Sequence, residues 1–110
     1  MSNINWINLG KRFLEYKGNV SLGDQGGFSF QIDGKNFMVK SKDSEDDIDY
    51  HVFVSIDYNQ FNHDYRDISD YLHNGDGKIL KRIYDHMLTL LTLQKKDSER
   101  IELERFIFGI

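Results

Sequence analysis

Apolar residues at the start of the chain recur three or four positions apart, which is the spacing of one helical face. Residues 4–17 are therefore predicted to form an amphipathic helix. Asn3 or Asn5 is placed to cap its first turn, and Gly18 follows where a glycine commonly ends a helix. The apolar positions of this predicted helix are Trp6, Leu9, Phe13 and Tyr16.

The strongest local pattern lies in residues 28–40, where two runs of alternating apolar and polar residues flank an Asp-Gly pair. Asp-Gly favours the two-residue type I′ turn, whose twist matches that of the strands it joins. A turn of that length sets the pairing of the strands, so Phe30 should face Phe37 and Phe28 should face Val39. The pattern predicts a β-hairpin with these four side chains on one face.

Two further elements are predicted in the middle of the chain. Residues 49–58 alternate apolar and polar side chains, which indicates a third strand. Residues 61–73 are predicted to form a short helix, because Tyr65, Ile68 and Leu72 lie on one helical stripe.

The C-terminal third carries the widest apolar stripe, and residues 78–95 are predicted to form a long helix with a broad buried face. Residues 98–108 fit either a helix or an edge strand, and their Glu, Arg and Leu content favours the helix. The predicted fold class is α+β, with an N-terminal helix, a three-stranded antiparallel β-meander and C-terminal helices packed on one sheet face. The length of the chain predicts a single domain over residues 1–110.

Composition narrows the class of protein. Aromatic residues make up 14% of the chain, which is ample for a packed core. The chain has no cysteine, so disulfides and thiolate metal sites are excluded. It has no apolar run near the ~18 residues that a membrane helix needs, and its N-terminus lacks the pattern of a signal peptide. We therefore expect a cytoplasmic protein without a membrane partner.

Negative charge is concentrated between Asp43 and Asp76. This segment holds ten acidic residues and one basic residue, Arg66, for a formal charge of −9, whereas the whole chain carries −4. A charge run is ordinarily a solvated surface, but carboxylates at this density repel one another and oppose compaction. Binding of the carboxylates to a partner would offset this repulsion.

Short patterns that resemble chemical sites have simpler structural interpretations. Asp33-Gly34-Lys35 matches the acid and lysine of a nuclease metal site, but the same residues make a hairpin turn. Residues 43–49 offer carboxylates to a cation, yet they lack the glycine and glutamate positions of an EF-hand loop. No histidine spacing typical of zinc and no serine nucleophile motif is present. We expect no catalytic residue, no metal site and no cofactor.

The acidic segment predicts a protein-binding surface. Carboxylates in a row imitate phosphates and can fill the basic groove of a nucleic-acid enzyme, while tyrosines among them anchor the contact. The arrangement is similar in kind to phage anti-restriction and anti-CRISPR proteins, to DNA mimics and to immunity proteins that block nuclease toxins. That likeness rests on size, charge segregation and the lack of catalytic residues. The expected contact residues are Asp43, Glu45, Asp46, Asp47, Asp49, Asp64, Asp67 and Asp70, with Tyr65 and Tyr71 as anchors.

The expected function is thus a non-catalytic inhibitor whose partner is a basic protein, such as a nuclease or another nucleic-acid-binding protein. Direct nucleic-acid binding is not expected, because the chain is net negative and its C-terminal basic residues are interleaved with core positions. The alternative hypothesis is a self-associating accessory or scaffold module that forms a homodimer. It would use the apolar chain end, namely Phe106, Ile107, Phe108 and Ile110.

Overall fold

In the part of the chain that the structure describes, three helices and a five-stranded antiparallel sheet make up the fold, with the strands lying in the sheet in the order in which they occur in the chain. The computed structural model describes residues 5–23, 26–43, 45, 47–59, 62–73 and 78–109, with side chains at all of these except 56–59 and 62–64. The elements are α1 (Trp6–Glu15), β1 (Ser21–Leu22), β2 (Phe28–Ile32), β3 (Lys35–Asp43), β4 (Ile48–Asn59), β5 (Asn62–Asp67), α2 (Ser69–His73) and α3 (Ile79–Phe108).

The α+β class, the N-terminal helix and the C-terminal helices are confirmed, whereas the prediction of three strands is wrong. Strand β1 has only two residues, Ser21 and Leu22, which is too short to produce an alternating pattern. Helix α1 begins as expected, since the side chain of Asn5 accepts a hydrogen bond from the N–H of Asn8 at 3.1 Å. It ends at Glu15, three residues before Gly18.

The β2–β3 hairpin has the predicted register. Phe30 lies opposite Phe37 and Phe28 lies opposite Val39. Asp33 and its neighbouring glycine have φ angles of 52° and 76°, the positive values that a type I′ turn requires. The turn chemistry and the hydrophobic pattern therefore select the same pairing.

The prediction of a helix over residues 61–73 is wrong in its first half. Residues Asn62–Asp67 pair with β4 as strand β5, and only Ser69–His73 form a helix. Asn and Asp are weak helix formers. As a strand, residues 62–67 also pair with the backbone groups of β4, which a helix in the same place would leave without these partners. The spacing of Tyr65, Ile68 and Leu72 is that of a helical stripe, but Tyr65 lies in β5, Ile68 in the connection after it and Leu72 in α2.

The core lies between one face of the sheet and the three helices. Phe13 of α1 contacts Phe30 and Phe37 edge-on, with ring centroids 5.4 and 4.9 Å apart. Ile83 and Met87 of α3 are fully buried in the same cluster. The helices therefore pack on one sheet face, as the pattern predicts. The other buried apolar residues are Val20, Phe28, Val39, Val52, Ile68 and Leu72.

Helix α3 is one continuous helix of 30 residues, about 45 Å long at 1.5 Å per residue. The helical prediction for residues 98–108 is confirmed, and the edge-strand alternative is wrong. Only the first half of α3 crosses the sheet, because every described residue from 95 to 109 is exposed. Within the described ranges, no helix combines the length and apolarity needed to cross a bilayer.

Two polar side chains of α3 hold the segment between α1 and β1. The amide of Gln94 accepts a hydrogen bond from the N–H of Val20 at 2.8 Å and donates one to its carbonyl at 2.9 Å. A ring nitrogen of His86 lies 2.7 Å from the carbonyl oxygen of Tyr16. Val20 is 3% exposed. The Gln94 amide forms with its backbone N–H and carbonyl the hydrogen bonds that a neighbouring strand would otherwise supply.

Gln94→Ala should lower the free energy of unfolding by about 2–3 kcal/mol, because it leaves a buried N–H and a buried carbonyl without a partner. Urea denaturation at neutral pH measures this loss. Lys95→Ala, on the exposed neighbour, is the control and should change stability by less than about 0.5 kcal/mol. Equal stability of the two variants would contradict the structural role given to Gln94.

Candidate functional site

The tip of the β3–β4 hairpin carries the densest negative charge in the chain. Residues 43–49 include five carboxylates and no basic residue. Asp43 pairs with Ile48 as the last rung of the hairpin, and Lys42 lies opposite Asp49 one rung earlier. The described carboxylates of this tip, Asp43, Glu45, Asp47 and Asp49, are all exposed.

A cleft opens beside this tip because β5 is shorter than β4. The last β5 residue, Asp67, lies opposite Phe53, and the N–H of Ile68 then donates to the carbonyl of Val52 at 2.9 Å. Beyond that point, no strand in the described part of the chain covers residues 48–51 of β4 on this side. The start of α2 and the start of α3 form the opposite wall instead.

Acidic residues from separate parts of the chain meet in this cleft, which has a volume of about 530 Å³. Asp47 and Asp49 line it from the hairpin, and Asp70 lines it from α2. The predicted acidic loop and the predicted acidic helix therefore share one end of the molecule at these three positions. We refer to the hairpin tip together with Asp70 as the acidic end.

The wall of the cleft that α3 supplies is basic. Lys78 and Lys81 line the cleft together with His73 of α2. The interior of the cleft therefore carries both signs of charge, whereas residues 43–49 at its rim include no basic residue. This separation favours binding at the rim over binding of a small anion or cation inside.

Asp67 differs from the other acidic residues because the fold uses its carboxylate. One carboxylate oxygen accepts the N–H of Ser69 at 2.8 Å, and the other lies 2.9 Å from Nδ1 of His51. Since an ionised carboxylate only accepts, Nδ1 is the donor in this pair. The Ser69 hydroxyl, which is buried, also accepts the N–H of Val52 at 2.8 Å. Asp67 thus joins the end of β5 to β4 and to the first turn of α2.

The hydrogen bonds around Asp67 set its ionisation. Partial burial acts to raise the pKa of its carboxyl group, but hydrogen bonds from the Ser69 hydroxyl and N–H, and from His51, lower it further than burial raises it. The net pKa lies below the usual value of 3.8 for aspartate. The charge of Asp67 therefore stabilises the native state.

The two predicted anchors lie in different places. Tyr71 of α2 stacks on Trp6 of α1, with ring centroids 4.8 Å apart and planes inclined by 18°, while its side chain stays 58% exposed. Tyr65 of β5 lies opposite Ser55 of β4 and does not line the acidic cleft. Tyr71 joins the two helices beside the acidic end, and Tyr65 belongs to another part of the sheet.

Two predicted contact residues fall wholly or partly outside the described structure. Asp46 lies outside the described residues. Asp64 is placed on β5 opposite Ile56, but its side chain is not described. Ile56 is seven residues from Asp49 along β4, which corresponds to about 23 Å. The backbone of Asp64 is therefore remote from the acidic end.

Sequence reasoning missed the groups that engage Asp67. His51 is 16 residues away in the chain, and no spacing pattern connects the two before the β4–β5 pairing is known. A local signal for the Ser69 contact does exist, since Asp followed two residues later by a helix start is a common capping arrangement. Among the described residues, no three His, Asp or Glu side chains come together as a metal site.

No protein-family model, curated protein or solved structure matches this chain.

Asp67→Asn should destabilise the protein at neutral pH, because the amide keeps the turn but loses the charge-assisted hydrogen bonds. With the carboxylate 43% exposed, we expect a loss of at most about 1 kcal/mol. A folded pKa below 3.8 means that the stabilisation is complete above that value and disappears as the pH falls through the folded pKa. Urea denaturation between neutral pH and pH ~2 checks this, and a stability difference independent of pH would contradict it.

Proposed function

We propose that this protein is a small non-catalytic inhibitor whose acidic end binds the basic surface of a nucleic-acid-handling protein, such as a nuclease. The observation that carries the proposal is that Asp47, Asp49 and Asp70, from two distant parts of the chain, line one cleft beside the acidic hairpin tip. Inhibition would follow from occupying the groove that nucleic acid would otherwise enter.

The shape of the acidic end supports this proposal. Asp43 and Asp49 lie on the last two rungs of the β3–β4 hairpin, and Glu45 and Asp47 lie exposed in the loop that joins the strands. Residues along a strand follow at about 3.3 Å, so side chains on one face are about 6.6 Å apart, whereas the phosphates of one DNA strand follow at about 3.4 Å along the helix axis. The mimicry therefore concerns the sign of the charge and does not need phosphate geometry.

Electrostatics supports it as well. A basic groove is occupied by counterions, and their release on contact with carboxylates favours association. Oppositely charged surfaces also accelerate the encounter between two proteins, and salt weakens this effect over a Debye length of about 10 Å at 0.1 M. The proposed binding should therefore be rapid and strongly dependent on salt.

Replacing Asp47, Asp49 and Asp70 together by lysine should weaken binding of the partner by at least about tenfold, because the charges that steer and hold it change sign. The immobilised protein is exposed to host-cell lysate at low salt, captured proteins are identified by mass spectrometry, and the affinity of the purified partner is then measured. Asp67 is left intact, since the fold uses its carboxylate.

The matched control is the triple replacement of Glu15, Glu102 and Glu104 by lysine, which makes the same change in net charge away from the acidic end. This control should keep most of the affinity, and double-stranded DNA should compete with the protein for its partner. The inhibitor proposal fails if the acidic-end variant binds like the wild-type protein at about 0.15 M salt, where distant charges are screened.

A further inference from the structure

The last third of α3 exposes apolar side chains without a contact to the core. Leu103, Phe106 and Ile107 are 60, 88 and 67% exposed. At 100° per residue they fall within one sector of about 100°, on the side of α3 opposite to Ile83 and Met87. Single exposed apolar residues are ordinary, but a cluster of three on one helical face indicates a contact surface.

The same face continues along the middle of α3. Leu88 is 43% exposed, and Thr89 and Thr92 lie beside it on the exposed side. The two threonine hydroxyls donate to the carbonyls of Asp85 and Leu88, four residues earlier, at 2.9 and 2.8 Å. Because these donors are satisfied within the helix, the threonines offer mainly their methyl groups to a neighbour.

Between the two apolar parts of this face lie Lys96 and Glu99. Both are exposed, and neither forms an ion pair with another described residue. They occupy the spacing of the a and d positions of a heptad that also includes Thr89, Thr92, Leu103 and Phe106. The face is thus a six-position seam with one positive and one negative residue at its centre.

We propose that α3 pairs along this seam with α3 of a second copy of the chain, in antiparallel orientation. Lys96 of each copy then faces Glu99 of the other, Thr92 faces Leu103, and Thr89 faces Phe106. Leu103 and Phe106 at the tip of one helix then cover the threonine methyl groups of the other. The contact is isologous, so it closes as a dimer and leaves no unpaired copy of the surface.

Charge complementarity selects both the partner and the orientation. A parallel, in-register pair would put Lys96 against Lys96 and Glu99 against Glu99, which repels at both positions. The antiparallel pair makes two Lys–Glu contacts about the symmetry axis. The bodies of the two copies do not collide, because each lies behind its own helix, on the face that holds Ile83 and Met87.

The pairing is independent of the inhibitor proposal, since the acidic end lies beside the first turn of α3 and the seam begins near Leu88. Loss of dimerisation and loss of partner binding therefore require different variants.

Light scattering and sedimentation equilibrium of the full chain test the dimer. We expect twice the chain mass of 13.0 kDa for the wild-type protein. Phe106→Ser should weaken self-association by at least about tenfold, because it removes the largest apolar side chain of the seam. Phe108→Ser is the matched control, because Phe108 is similarly exposed, at 69%, but points about 160° away from Phe106 around the helix. A monomeric wild-type protein, or equal effects of the two serine variants, would overturn the proposal.

Cysteine pairing tests the orientation, and the chain has no native cysteine to interfere. The double variant Thr92→Cys, Leu103→Cys should form disulfide-linked dimers under mild oxidation, because the two positions face each other across the seam. Each single variant should stay unlinked, since its two copies would be about 16 Å apart along the antiparallel pair, beyond the reach of a disulfide. Efficient linkage of Thr92→Cys alone would show a parallel pair and overturn the assigned orientation.

Discussion

The edge-on packing of Phe13 against the stacked rings of Phe30 and Phe37 is the contact on which the rest of the structure depends. It fixes α1 over the β2–β3 hairpin, and the ion pair between Arg12 and Asp33, with atoms 2.6 Å apart, holds the same helix to the hairpin turn. The ion pair is exposed and contributes little, whereas the aromatic cluster is buried and supplies most of the stabilisation. Once α1 is placed, α3 can cross the sheet beside it and complete the core.

The parts of the fold that local sequence determines were predictable. The β2–β3 hairpin was found because turn type and apolar alternation agree on one register. The first half of α3 was found because its apolar stripe is wide. Strand β5 was mistaken for a helix because its own residues are mostly polar and because Tyr65, Ile68 and Leu72 follow at helical spacing across its end. Its strand state comes from pairing with β4, which a pattern within the segment does not reveal.

The candidate site was predictable only in its composition. The acidic hairpin loop followed from a run of carboxylates, but its meeting with Asp70 depends on β5 ending where it does. Asp67 shows the limit most clearly, because its place in the acidic segment does not reveal its contacts with His51 and Ser69. Identical residue types can therefore serve a partner or the native state, and only tertiary contacts separate the two roles.

The two halves of helix α3 are stabilised by different interactions. Residues up to Gln94 are held by the core and by side-chain hydrogen bonds to Val20 and Tyr16. The described residues from Lys95 onward are exposed, and the helix is supported there by its backbone hydrogen bonds and by the ion pairs of Arg100 with Asp97 and Glu104. A protease that cuts after Lys95 or Lys96 would remove the exposed apolar half and leave the core and the acidic end joined. One cleavage would then remove the C-terminal half of the proposed dimer seam and keep the proposed partner-binding end.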